Sequence, residues 1–177
     1  MPFYNSQVDV MIDAGKVAAK VRELGAQITR DYAGKPLTLV GILKGSAFFC
    51  TDLARAIDLP LKLEVLGVSS YSGGTETTGE VRITSDVTKP MKGANILIVE
   101  DIIDTGLTMK FLLENLGARH PASVKICALL EKPSRARTKV PIDYKGFVIE
   151  DRFVVGYGLD FDEKYRNLPF IGVMKGK

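Results

Sequence analysis

The sequence predicts an α/β protein built on a doubly wound, mostly parallel sheet flanked by helices. Three observations lead there. Short aliphatic runs such as Ile96-Leu-Ile-Val99 show no polar alternation, which marks strands covered on both faces. Other segments place apolar residues at steps of three and four, the period of a helix packed by one face. The two patterns alternate along the chain, and right-handed crossovers then give a parallel sheet.

The elements follow in order. Val10, Ala14, Val17, Val21, Leu24 and Ile28 recur at helical steps, predicting an amphipathic helix over residues 7–33 that Gly34 stops. Leu37–Leu43 is an aliphatic strand. A helix with Phe49, Leu53 and Ile57 on one face comes next and ends at Pro60. Strands are predicted over Leu61–Ser70 and 80–84, with Val81 and Ile83 inward. After the strand at 95–99, a helix carries Met109, Leu112, Leu113 and Leu116 and closes at Gly117. Residues 124–130 and 153–157 complete the strands. No repeat, low-complexity segment or linker interrupts the 177 residues, so one domain over 1–177 is expected.

A composition of 46% hydrophobic and 25% charged residues is that of a soluble globular protein. The net charge of +3 is small and evenly spread, and no aromatic-interleaved basic stripe is present, so nucleic acid is not an expected partner. No apolar run reaches membrane-spanning length, and Met1-Pro-Phe-Tyr-Asn-Ser6 lacks a signal-peptide pattern; no membrane partner and a cytoplasmic location are expected. Cys50 and Cys127 lie in apolar surroundings and are expected as buried thiols, not a disulfide. The glycine fingerprints of dinucleotide-binding and P-loop folds are missing.

The most informative run is Asn95-Ile-Leu-Ile-Val-Glu-Asp-Ile-Ile-Asp-Thr-Gly-Leu-Thr108. Glu100 and Asp101 emerge at the carboxyl end of a buried strand, the edge at which open α/β sheets bind ligands. Asp104 to Thr108 then offers small side chains, a glycine and unpaired N–H groups at a helix start, a cradle for phosphate. Taken singly, Asp104 is an ordinary helix cap. Taken together, acids for ribose hydroxyls beside amides for a phosphate describe a ribose-5-phosphate site.

This run resembles the phosphoribosyl-diphosphate signature of the type I phosphoribosyltransferases. Leu43-Lys44-Gly45-Ser46, Ser70-Tyr71, Glu131-Lys132-Pro133 and Phe153-Val-Val-Gly-Tyr-Gly-Leu-Asp160 resemble, in the right order, the hypoxanthine-guanine branch of that family. The likeness runs from about residue 40 to residue 166. It implies a small hood subdomain formed by roughly 1–10 and 132–177. It also implies a magnesium cofactor, phosphoribosyl diphosphate and a 6-oxopurine base as substrates, IMP or GMP and pyrophosphate as products, and a homodimer or homotetramer.

The resemblance assigns the site residue by residue. Lys44 and Gly45 hold pyrophosphate, through a non-proline cis bond at Leu43-Lys44. Ser70 and Tyr71 belong to a lid, residues 71–79, that excludes water from the reacting carbon. Glu100 and Asp101 hold the ribose hydroxyls and act on magnesium through water; Asp160 coordinates the metal. Asp104, Thr105, Gly106, Leu107 and Thr108 anchor the 5-phosphate, and Asp104 is the general base. Lys132 reads the purine 6-oxo group, since an ammonium only donates. Phe153 stacks on the base, Val154 reads its edge through backbone, and Arg166 pairs with pyrophosphate. Leu107 departs from a lysine that some members carry, which predicts weaker charge compensation at the phosphate. By residues alone Lys132 sits in a basic loop with Arg135, Arg137 and Lys139 and is an ordinary solvated lysine. A nucleic-acid-binding regulator on the same fold, and a transferase for xanthine, adenine or a pyrimidine, are the rival readings. Lys132, Phe153 and Asp160 argue against the first, and Lys132 argues against adenine.

Overall fold

The computed structural model describes residues 7–70 and 81–176. Tyr71, the lid stretch 71–79 and residues 1–6 of the expected hood lie outside the described residues, as does the Ser70 side chain. Nine strands and three helices are seen among the described residues: β1 Val8–Ile12, α1 Ala14–Asp31, β2 Leu37–Leu43, α2 Ala47–Ala56, β3 Leu61–Ser70, β4 Val81–Ser85, β5 Asn95–Ile103, α3 Leu107–Gly117, β6 Ser123–Glu131, β7 Tyr144–Val148, β8 Val154–Val155 and β9 Ile171–Met174.

The main sheet runs β4-β3-β2-β5-β6-β7, parallel except for β4. Alternate residues of its central strands feed two cores. Leu37, Leu39, Leu97, Val99, Cys127 and Leu129 pack with Leu24, Ile28, Phe49 and Leu53 of α1 and α2. Val40, Ile42, Ile96, Ile98, Ile126 and Ala128 pack with Met109, Leu112 and Leu116 of α3 on the other face. That two-sided burial is why these strands carry no polar alternation. Both cysteines are free and buried, and burial pushes the Cys50 thiol up to about 11.

The first helix starts later than its apolar stripe predicts. Asp13, in extended conformation, caps α1 by accepting the Lys16 N–H at 2.9 Å, and Val8–Ile12 before it is a strand. Val10 is therefore exposed, while Val17, Val21, Leu24 and Ile28 form the buried face. The cap fixes the helix start at Ala14, which leaves Val8–Ile12 to pair antiparallel with β9.

β1, β9 and β8 make a second, antiparallel sheet, drawn largely from the segments assigned to the hood. Residues 144–148, inside the range assigned to that hood, instead extend the main sheet beside β6. Val154, Ile171 and Val173 join the α1/α2 core, whereas Val8, Val155, Leu168 and Met174 form a separate cluster. Tyr157 ties the small sheet to α2 by donating to Asp52 Oδ2 at 2.7 Å. No helix among the described residues is long and apolar enough to cross a membrane.

Candidate active site

β2 connects leftward to β3 and borders β5 on its right, so the strand order reverses between β2 and β5. Ligands bind open sheets at such a reversal. Backbone pairing between β2 and β5 ends at Gly41 and Val99, while β5 goes on pairing with β6 as far as Ile103. Glu100 and Asp101 thus lie within β5, not beyond its end as the aliphatic run implies, on the stretch that β2 has left. A cavity of about 440 Å³ opens there. Lys44 and Gly45 line it from the end of β2, Glu100 and Asp101 from β5, and Asp104, Thr105, Gly106 and Thr108 from the turn into α3. Asp160 and Arg166 line it from the segment after β8.

Three close approaches hold these stations together. A Cβ on Gly45 would overlap the Asp101 carboxylate. A Cβ on Gly158, which sits at φ +104°, would overlap the Gly45 carbonyl, so the loop after β8 closes directly on the β2 turn. Gly106 caps α3 at φ +80°, a conformation other residues rarely adopt, and packs against the Thr138 backbone. The Leu43-Lys44 peptide bond is cis. At the helix mouth the Leu107 N–H reaches Thr105 Oγ1 at a long 3.4 Å, and the first N–H groups of α3 have no acceptor within the helix.

The charges are arranged in pairs. Arg166 donates to the Gly158 carbonyl at 2.7 Å and lies 2.9 Å from Asp160, yet its Nε is buried with no acceptor. An unpaired buried donor of this kind is costly, and an anion in the cavity would satisfy it. Lys44 Nζ lies 2.9 Å from Glu163, an exposed pair that restrains it little. Arg135 Nε lies 2.8 Å from Asp104 Oδ1, although outside hydrogen-bonding angles, so that oxygen too is buried without a hydrogen bond.

Glu100 and Asp101 are both buried, and the Asp101 N–H donates to Glu100 Oε1 at 3.3 Å. Burial, then the Asp101 charge, holds the Glu100 carboxyl well above the usual range. Burial raises Asp101 as well, opposed by its bonds to Glu100 and to the Ile102 N–H. An acid raised by folding holds its proton longer in the native state than unfolded. Its penalty is absent at low pH, grows as pH climbs past the ordinary glutamate value of 4.5, and is complete above the native value. Glu100→Gln is therefore expected to raise Tm at pH 8 by about 2–4 °C, the shift that ~1 kcal/mol gives a chain of this size, with the gain fading toward pH 5. Thermal scans across that range check it; a lower Tm at pH 8 would contradict the electrostatic argument.

Among the described residues no three acidic, histidine or cysteine side chains converge as a metal cage. Glu100, Asp101 and Asp160 nevertheless line one cavity. Magnesium binds through one or two carboxylates, with water and substrate oxygens completing its shell, so this donor set fits an ion shared with a diphosphate.

Four predicted positions stand outside this cavity. Leu107 starts α3, and Val154 is buried in β8. Phe153 is 42% exposed and meets Phe161 edge-on at 5.7 Å. Lys132 is buried and lines a smaller cavity of about 260 Å³, whose walls include Ile103 and Asp104. The two cavities therefore share the Asp104 wall. Sequence reasoning passed over Arg135, treating it as part of a solvated basic loop; nothing in its local pattern marks the contact with Asp104.

A family model of the phosphoribosyl transferase domain matches residues 9–162. The hypoxanthine-guanine phosphoribosyltransferase of Staphylococcus aureus is 48% identical over 172 residues, spanning 97% of this chain and 96% of that protein. The hypoxanthine phosphoribosyltransferase of Haemophilus influenzae is 49% identical over 93% of this chain and 94% of its own. A crystal structure of a hypoxanthine phosphoribosyltransferase from S. aureus superposes with a TM-score of 0.94 at 47% identity, over 99% of this chain and 95% of that one.

Proposed function

The chain belongs to the hypoxanthine-guanine phosphoribosyltransferases, enzymes of purine salvage, and from that premise we propose that it carries ribose-5-phosphate from phosphoribosyl diphosphate to N9 of hypoxanthine or guanine. The products are IMP or GMP and pyrophosphate. The observation that carries the reading is the cavity at the sheet reversal, with two buried acids facing a helix mouth and an unpaired arginine donor.

The first N–H groups of α3 and the small side chains of residues 104–108 anchor the 5-phosphate, with Leu107 contributing backbone alone. Glu100 and Asp101 accept from the ribose hydroxyls. Lys44, the Gly45 amide and Arg166 take the pyrophosphate, whose charge matches the Arg166 Nε left unpaired. A magnesium ion held by Asp160, with Glu100 and Asp101 acting through water, would neutralise part of the leaving-group charge. Lys132 donates to the 6-oxo group from the smaller cavity, while Phe153 and Val154, which line neither cavity, cover the ring and read its edge through backbone. Ser70 and Tyr71 would cover the reacting carbon against water.

The purine N9 pair forms the bond to C1′ as the C1′–O bond breaks, its electrons leaving on pyrophosphate. The proton on N7 passes to Asp104. The sugar is oxocarbenium-like midway, so positioning and fixed charge supply most of the rate. The single domain with its hood works in the cytoplasm as a homodimer or homotetramer.

The deciding experiment supplies each purine base with phosphoribosyl diphosphate and magnesium, with a chelator as control. Hypoxanthine and guanine are expected to be converted and adenine rejected, with loss of activity on chelation. Adenine used as well as hypoxanthine, or activity indifferent to chelator, would overturn the corresponding part.

A further inference from the structure

Arg135 stands on a loop that the backbone staples to the turn holding Asp104. Pro133–Arg135 forms a single 3₁₀ turn, with the Arg135 N–H donating to the Lys132 carbonyl at 3.1 Å. Just beyond it, the Arg137 and Thr138 N–H groups both donate to the Thr105 carbonyl, at 3.0 and 3.1 Å. The Thr138 carbonyl lies where a Cβ on Gly106 would fall. The loop backbone is thus anchored on both sides of Arg135, which keeps the guanidinium within reach of Asp104. There its Nε meets Asp104 Oδ1 at 2.8 Å, and NH1 lies 3.6 Å from Asp151 Oδ2. The other Asp151 oxygen is 3.7 Å from the Lys132 ammonium.

We propose that Arg135 is a positioning residue for Asp104, holding that carboxylate on the wall shared by the two cavities. The inference rests on the reading of Asp104 as general base. An aspartate has rotamer freedom that a half-exposed site would not suppress, and the buried oxygen Oδ1 has no hydrogen bond to hold it. The Arg135 guanidinium, carried on a loop anchored to the Asp104 turn, supplies the restraint, and its second carboxylate partner, Asp151, favours the same placement. Arg135 lines neither the larger nor the smaller cavity, so it acts through Asp104 alone.

The test compares Arg135→Gln, Arg135→Lys, Asp104→Asn and the double variant Asp104→Asn/Arg135→Gln, assayed with hypoxanthine and saturating magnesium–phosphoribosyl diphosphate. Arg135→Gln is expected to lower kcat about 10- to 100-fold, the scale of a displaced catalytic group, with KM for phosphoribosyl diphosphate unchanged. Arg135→Lys, keeping a charge but not the fork, restores part of it. Adding Arg135→Gln to Asp104→Asn is expected to cost nothing more, because the group it positions is already gone. Full additivity in the double variant, or unchanged kcat in Arg135→Gln while Asp104→Asn is crippled, would overturn the positioning role and leave the general base standing. Normal turnover in Asp104→Asn would instead remove the general base and this inference with it.

Discussion

Asp104→Asn is expected to lower kcat for hypoxanthine by about 10²–10⁴-fold, the range over which a positioned proton acceptor contributes. Asparagine keeps the shape of the side chain but cannot take the N7 proton. On the proposed reading the phosphate contacts of this turn come from backbone N–H groups at the mouth of α3, which the substitution leaves in place, so affinity for phosphoribosyl diphosphate should change little. The left-handed Gly106 and its packing on Thr138 hold the turn independently of the Asp104 carboxylate. Arg135 retains Asp151 as a partner, so the variant does not strand a charge. Single-turnover kinetics with bound phosphoribosyl diphosphate separate the two effects, and the reverse reaction from IMP should lose as much as the forward one. Turnover within twofold of the wild type would remove Asp104 from the chemistry.

The ease with which β2 and the first half of β5 are read from sequence has a physical cause. Strands buried on both faces need unbroken aliphatic runs, and nothing else in a soluble chain does. Tyr144–Val148 and Ile171–Met174 escape the same reasoning because β7 is an edge strand and β9 is four residues long; their burial comes from partners far away in sequence. The start of α1 is misread because Val10 and Ala14 continue the helical spacing by coincidence, while the Asp13 cap decides the boundary locally. In the site, the Glu100-Asp101 pair and the Asp104–Thr108 turn are legible because their chemistry is contiguous. What joins them to Arg166, Asp160 and Arg135 is tertiary: Gly158 against Gly45, Gly106 against Thr138, and the Thr105 carbonyl taken by residues over thirty positions on. Such contacts leave at most a glycine as their trace in the sequence.

Lys132→Gln is expected to change which base is used more than how well the protein folds. The lysine is buried, its nearest carboxylate is 3.7 Å away, and it lines the smaller cavity beside Asp104. At that separation Asp151 balances the charge without engaging the ammonium in a close hydrogen bond, which leaves its donors for a ligand. An ammonium has three donors and no acceptor, so it bonds a 6-oxo oxygen and opposes a 6-amino group. A site built this way can reject the wrong partner by about 10⁴-fold. The glutamine amide can present either its oxygen or its nitrogen, so the opposition to adenine disappears along with the charge. Losing a charge-assisted hydrogen bond worth about 1.5–3 kcal/mol lowers kcat/KM for hypoxanthine roughly 10- to 100-fold, and relief of the adenine clash narrows the ratio further. Because Lys132 does not line the larger cavity, KM for phosphoribosyl diphosphate should hold steady. Measuring kcat/KM for hypoxanthine, guanine and adenine in the variant decides the matter: an unchanged ratio of hypoxanthine to adenine would place discrimination elsewhere, on Val154 and the backbone beside it.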